Sequence, residues 1–234
     1  LIFHGGTAAG DRVDPVMSFA YDVKSRKVLH AAENGPYRYL IFARSTCCVY
    51  YVNEDGGPLM RYDPSLGEPP TRIAGSIGLR SATQETSEGY VYTISTRGDA
   101  TLWRFNTGTE QNDKIGNAAV NSQTYVTSLD VDPTGRYLYY FLGAHGGSQH
   151  DGTPIVQFDV KTGRKKVIAF LHPFYEEKYG YTPLGTFGSA VNETGEKLYI
   201  TWNGNRGGPD PRGRLGFDTC ALTVVHVPES ERRP

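Results

Sequence analysis

Histidine and arginine side chains next to glycine pairs are the groups of this chain best suited to chemistry. His4-Gly5-Gly6-Thr7 and His145-Gly146-Gly147-Ser148 repeat one tetrapeptide pattern, and Arg206-Gly207-Gly208 is a related form. Glycine permits sharp turns and close approach of a ligand, so the imidazole or guanidinium ahead of each pair is delivered to a loop surface. Imidazoles converging there could hold a divalent metal. Imidazoles mixed with guanidinium groups could instead grip a carboxylate or phosphate. The plainer reading is that Gly-Gly shapes the loop and the histidine caps it by hydrogen bonding.

What must position these loops is a repeated strand phrase. A Tyr-rich apolar strand runs into a Gly-rich loop, and a second strand ends in aromatic-Asp before a tight turn. The clearest copy joins Tyr137-Leu138-Tyr139-Tyr140-Phe141 to Ile155-Val156-Gln157-Phe158-Asp159. The anchors Tyr21, Tyr62, Phe105, Phe158 and Val225 lie 41, 43, 53 and 67 residues apart. That is the period of propeller blades, with the excess in loops. Short strands before and after each phrase, bounded by turns such as Asp132-Pro133-Thr134-Gly135 and Asn192-Glu193-Thr194-Gly195, make four strands per unit. The expected fold is all-β: one β-propeller domain of four-stranded antiparallel blades at about 1–36, 37–76, 77–120, 121–174 and 175–234. Only Tyr175-Glu176-Glu177-Lys178-Tyr179 reads as briefly helical.

Three units read as complete. The first lacks its inner strand and the last its outer one. The expectation is therefore the C-terminal part of a seven- or eight-bladed propeller, in which an N-terminal strand completes the last blade; a distorted five-bladed ring is the alternative. In a four-stranded blade the loops between second and third strands emerge on the same face as the loops joining successive blades. That face would carry His4, Arg97, His145, His150 and Arg206, with Arg38, Arg80, His172 and Tyr175 from the blade-joining loops. These nine are the expected ligand-binding residues, and His4, His145 and His150 the candidate metal ligands. Asp11, Asp99, Asp151, Arg212 and Arg214 share the face, and Tyr37, Tyr179 and Tyr181 join Tyr175 as rings able to stack on a sugar.

Composition suits many short strands, with 28 Gly and 14 Pro in 234 residues. A formal net charge of −1, without long runs of one sign, argues against electrostatic capture of nucleic acid. No apolar run reaches the roughly 20 residues of a membrane-spanning helix. Three cysteines do not make a self-contained disulfide framework. Cys47 and Cys48 are expected as free thiols in a hairpin turn, with a vicinal disulfide as the alternative, and Cys220 as a buried apolar side chain.

Through Asp159-Val160-Lys161-Thr162-Gly163 and its copies, the chain resembles the bacterial propellers that include lactonase-like proteins, the β-chains of quinoprotein amine dehydrogenases and metal-dependent oligogalacturonate lyases. A periplasmic or secreted setting is the favoured expectation. Such lyases hold a metal with His and Gln at the channel mouth, and His145, Gln149 and His150 have those residue types. Two functions follow. One is a binding or assembly module whose Gly-rich face takes a small anionic or carbohydrate ligand or a protein partner. The other is an enzyme using one divalent metal on sugar acids or lactones, as lyase or hydrolase.

Overall fold

The computed structural model describes residues 2–5, 17–33, 35–54, 56–95 and 100–232, with side chains from Ser18 onward. These residues form five antiparallel sheets. The first contains β1 (Ile2–Gly5), β2 (Met17–Asp22) and β3 (Lys27–Glu33). The second contains β4 (Leu40–Phe42), β5 (Val49–Val52), β6 (Pro58–Tyr62) and β7 (Thr71–Ser76). The third contains β8 (Ser81–Ala82), β9 (Tyr90–Ile94), β10 (Thr101–Asn106) and β11 (Gln111–Asn117). The fourth contains β12 (Val126–Val131), β13 (Tyr137–Leu142), β14 (Pro154–Asp159) and β15 (Arg164–Phe170). The last contains β16 (Thr182–Val191), β17 (Lys197–Asn205) and β18 (Thr219–His226). Each strand pairs with its neighbours in sequence, and β4, β8, β12 and β16 succeed one another on the inner side. This is the propeller arrangement, with the first and last sheets three-stranded. A short helix, α1 (Phe174–Tyr179), links the fourth sheet to the last and ends at left-handed Gly180.

Strand β13 shows why the Tyr-rich strands form sheet interiors. All six of its residues are buried. Side chains alternate across a strand. Leu138, Tyr140 and Leu142 therefore join the core toward the third sheet, with Ile94, Leu102 and Val126. Tyr137, Tyr139 and Phe141 enter the core toward the last sheet, with Leu198, Ile200 and Trp202. Phe141 meets Trp202 edge-on at 6.0 Å between ring centroids. Tyr50 and Phe105 make the same contact at 4.9 Å between the second and third sheets. Each such side chain contributes about 1.5–3 kcal/mol through burial.

The short turns on one face close on themselves. Buried Asp132 accepts from the backbone N–H groups of Arg136 at 2.8 Å and Tyr137 at 2.7 Å, and from the Thr134 hydroxyl at 2.6 Å. Asn192 accepts from Lys197 N at 2.9 Å in the equivalent turn of the last sheet. Asp159, at the turn after β14, receives the Arg136 guanidinium at 2.9 and 3.3 Å, which holds its carboxyl down to about 2. Cys47 is exposed, Cys48 is buried, and both are free thiols. Cys220 departs from expectation: it is exposed, because no strand among the described residues covers the outer edge of β18.

Candidate functional site at the channel mouth

The loop between β13 and β14 is built from left-handed backbone. Gly143, Gly146, Gly147 and Gly152 all have positive φ, and residues Ser148–Asp151 form a 3-10 turn. At Gly143 (φ +82°) a Cβ would lie 2.8 Å from Ser148 N. At Gly185 in β16, a Cβ would sit 2.3 Å from the Gly143 carbonyl oxygen, so the inner strand of the last sheet presses directly on this loop. Asp151 ties the loop to the preceding connection, accepting from Asn121 Nδ2 at 2.6 Å and the Ser122 hydroxyl at 2.8 Å. That carboxylate is structural.

Held in this way, His145 enters a row of side chains drawn from three successive sheets. Its imidazole stacks on Tyr125 at 4.9 Å and 26° and meets Phe187 edge-on at 5.5 Å. Arg80 stands on the other side of Tyr125, its guanidinium carbon 4.9 Å from the ring centroid and its Nε donating to the Tyr125 hydroxyl at 2.6 Å. Arg80 is 9% exposed, and no carboxylate among the described residues pairs with it. A cation withdrawn from water whose partner among the described residues is a neutral phenol favours an anion brought to it. Phe187 is 48% exposed, and Phe217 lies against Gly146 beside the row. The outcome is a partly exposed aromatic platform with a buried positive charge at one end.

The expected site residues fall into several places. Arg80 and His145 share the row. Tyr175 and Arg206 share a recess of about 610 Å³ bounded also by Lys178, Tyr179 and the outer residues of β18. Arg38 lines a separate recess of about 390 Å³ on the inner wall, with Arg44 and Gln84. His150 is exposed and has Gln149 Nε2 at 3.3 Å from its own Nε2. His172 Nδ1 stands 3.7 Å from Glu176 of α1. The His4 side chain and Arg97, with Asp11 and Asp99, lie outside the described residues; the His4 backbone pairs with Ser18. Arg214 is taken by Asp210 at 2.9 Å, and Tyr181 is buried, its hydroxyl donating to Thr219 O at 3.2 Å. Among the described residues no group of three His, Cys, Asp or Glu side chains could hold a metal ion.

Tyr125, Phe187 and Phe217 carry no mark in the sequence. Tyr125 precedes a strand in a polar stretch, Phe187 lies within β16, and Phe217 sits in the loop between β17 and β18. The signal that could have found Tyr125 is its position just ahead of an inner strand, the place that Arg80 holds one blade earlier.

No family model matches the chain, and no curated protein does. Solved structures do. TolB from Acinetobacter baumannii superposes over 95% of this chain and 48% of its own, with a TM-score of 0.55 at 12% identity. An oligogalacturonate lyase in complex with manganese matches 94% of this chain and 55% of its own, with a TM-score of 0.55 at 13% identity. A nidogen/laminin complex contributes a third, covering 87% of this chain and 70% of that one, with a TM-score of 0.51 at 13% identity. The chain thus spans about half the length of TolB and of the lyase. At such identities the likeness is one of fold: the chain is a β-propeller.

Proposed function

We propose that this chain is a β-propeller binding module whose Gly-rich loop face takes a small anionic or carbohydrate ligand at the channel mouth. The supporting observation is the Arg80–Tyr125–His145–Phe187 row, a buried guanidinium that meets no carboxylate among the described residues, continuous with a partly exposed aromatic surface. Ring faces accept the apolar face of a sugar, and the guanidinium accepts a carboxylate as a forked pair. A sugar acid would meet both. His145 shapes the platform through its two ring contacts rather than as part of a three-ligand metal group among the described residues.

Calorimetric titration of the full chain with D-galacturonate, D-galactose and acetate tests this reading. Galacturonate is expected to saturate the protein and to bind about tenfold more tightly than either of the others, since a charge-assisted pair is worth about 1.5–3 kcal/mol. Arg80→Gln should abolish the advantage over galactose, and His145→Ala should weaken both sugars. Absence of saturation by all three, or affinities that neither variant moves, overturns it. Saturation by a protein partner in place of the sugars, sensitive to the same two variants, would retain the face and replace the ligand.

A further inference from the structure

The outer strands β3, β7, β11 and β15 each carry charged residues, among them Lys27, Arg72, Lys114 and Lys165, and each meets its neighbour with a register shift. Charges and bulges of this kind keep an exposed strand from recruiting another. The edge strand β18 has neither. Thr219-Cys220-Ala221-Leu222-Thr223-Val224-Val225-His226 holds no Lys, Arg, Asp, Glu or Pro, and it pairs with β17 without a shift. Unshifted pairing is what β6, β10 and β14 show toward the strands before them, and each of those is covered by a fourth strand. β18 is built as a covered strand, yet among the described residues no strand covers it.

The ladder fixes what this edge offers. Val227 N–H donates to Glu196 O at 2.8 Å, continuing the register that sets His226 opposite Lys197. Bonding direction alternates along an antiparallel pair, so Thr219, Ala221, Thr223 and Val225 bond β17, while Cys220, Leu222, Val224 and His226 turn their N–H and C=O groups outward. The recess of about 610 Å³ follows this edge from Thr219 to Val224. Leu222 and Val224, 64% and 44% exposed, add apolar surface to it. Its end near Thr219 is positive: Arg206 follows β17 there, and Lys178 lies over the Tyr179 ring of α1 at 5.2 Å. Neither side chain is ion-paired with a carboxylate among the described residues, and Asp218 is taken up by Asn205 and the backbone N–H groups of Arg206 and Gly207.

We infer that the outer edge of β18 is a docking site for an extended peptide segment of another protein, added antiparallel to β18 and carrying acidic residues at its C-terminal end. An antiparallel segment runs toward Thr219, which brings that end to Arg206 and Lys178. The outward groups of Cys220, Leu222 and Val224 supply the ladder that gives affinity, and the two cations supply direction. The site is separate from the channel mouth and independent of the ligand proposed there.

The probes are the peptide acetyl-Thr-Val-Thr-Val-Thr-Val-Glu-Glu-amide and its counterpart ending in Lys-Lys, titrated against the full chain by calorimetry. The Glu-ended peptide is expected to saturate one site at least about fivefold more tightly, the effect of two partly exposed ion pairs. Arg206→Glu should reduce or reverse that preference. Leu222→Pro removes an outward donor, leaves the bonds to β17 in place and should abolish binding. Because proline can disturb the strand, Val224→Lys provides a second block by placing a charge on the edge. Amide hydrogen exchange followed by NMR should show the N–H groups of Cys220, Leu222 and Val224 gaining protection when the peptide binds, while Ala221 and Thr223 are protected already. No saturation, equal affinity for the two peptides in the unaltered chain, or binding that survives both Leu222→Pro and Val224→Lys overturns the assignment. So does protection of Leu222 and Val224 without peptide: if it depends on protein concentration the edge belongs to a second copy, and otherwise to a segment of the same chain.

Discussion

The two faces of this propeller are made from the same strands and end in opposite ways. On the turn face, polar side chains are consumed locally: Asp132 and Asn192 cap the hairpins that follow β12 and β16, and Asp159 is held by Arg136. On the loop face, runs of left-handed glycine carry the chain outward, and Arg80, His145, Phe187 and Phe217 gather with no carboxylate among the described residues to neutralise the arginine. A short turn satisfies its own donors and has nothing left to offer a ligand. A long glycine-rich loop leaves side-chain groups for something else to satisfy.

The sharpest way to break this contrast is to damage each face and ask which property fails. Asp132→Ala removes the acceptor of three backbone N–H groups at a buried turn and is expected to cost about 2–4 kcal/mol of stability, measured by denaturant unfolding, with ligand affinity unchanged in the folded fraction. Gly143→Ala on the other face places a Cβ against Ser148 in a left-handed backbone and should cost about 1–3 kcal/mol. Unlike Asp132→Ala, it should also weaken sugar-acid binding, since His145 rides on that loop.

Acidity separates two carboxylates in a way that sharpens the comparison. Asp159 on the turn face has its carboxyl held down to about 2 by Arg136, so its contribution to stability is present above pH 4 and is lost as the pH falls toward 2. Asp130 lies between the inner strands β12 and β16, where its carboxylate accepts from Ser189, which also bonds Ser128; burial raises its pKa to about 6. The folded state therefore binds a proton more tightly there than the unfolded chain does, and this group lowers stability as the pH rises from about 4 to 6. Asp130→Asn should remove that decline and raise the melting temperature at pH 7.5. Asp159→Asn should instead flatten the acid limb. Melting curves between pH 2 and 8 check both. The smallest effect belongs to Arg214→Ala, which breaks an exposed pair with Asp210 within one loop and should change stability by no more than about 0.5 kcal/mol.

Much of the architecture is legible in the residues. The Tyr-rich apolar run Tyr137–Leu142, the Asp-Pro-Thr-Gly and Asn-Glu-Thr-Gly turns and the repeat of aromatic-Asp specify strands, hairpins and their order, because these are local properties of side-chain type and turn chemistry. The incomplete first and last units appear as three-stranded sheets. The Gly-rich loops could be placed on one face from strand order alone, and His145 with them.

The partners of His145 were not legible. Tyr125, Phe187 and Arg80 come from three different sheets, and what brings them together is the close approach of successive inner strands, down to the contact of Gly185 with the Gly143 carbonyl. Cys220, whose residue type suggests burial, is exposed for a related reason. Its burial depends on whether another strand covers β18, a fact about sheet neighbours and not about the residue. The strands, their turns and the face on which glycine accumulates are written in the residues alone, since each is set by neighbours along the chain. Which side chains share an environment, and that Arg80 meets no carboxylate among the described residues, are settled by packing, because they depend on residues far apart in sequence held at fixed distances in space.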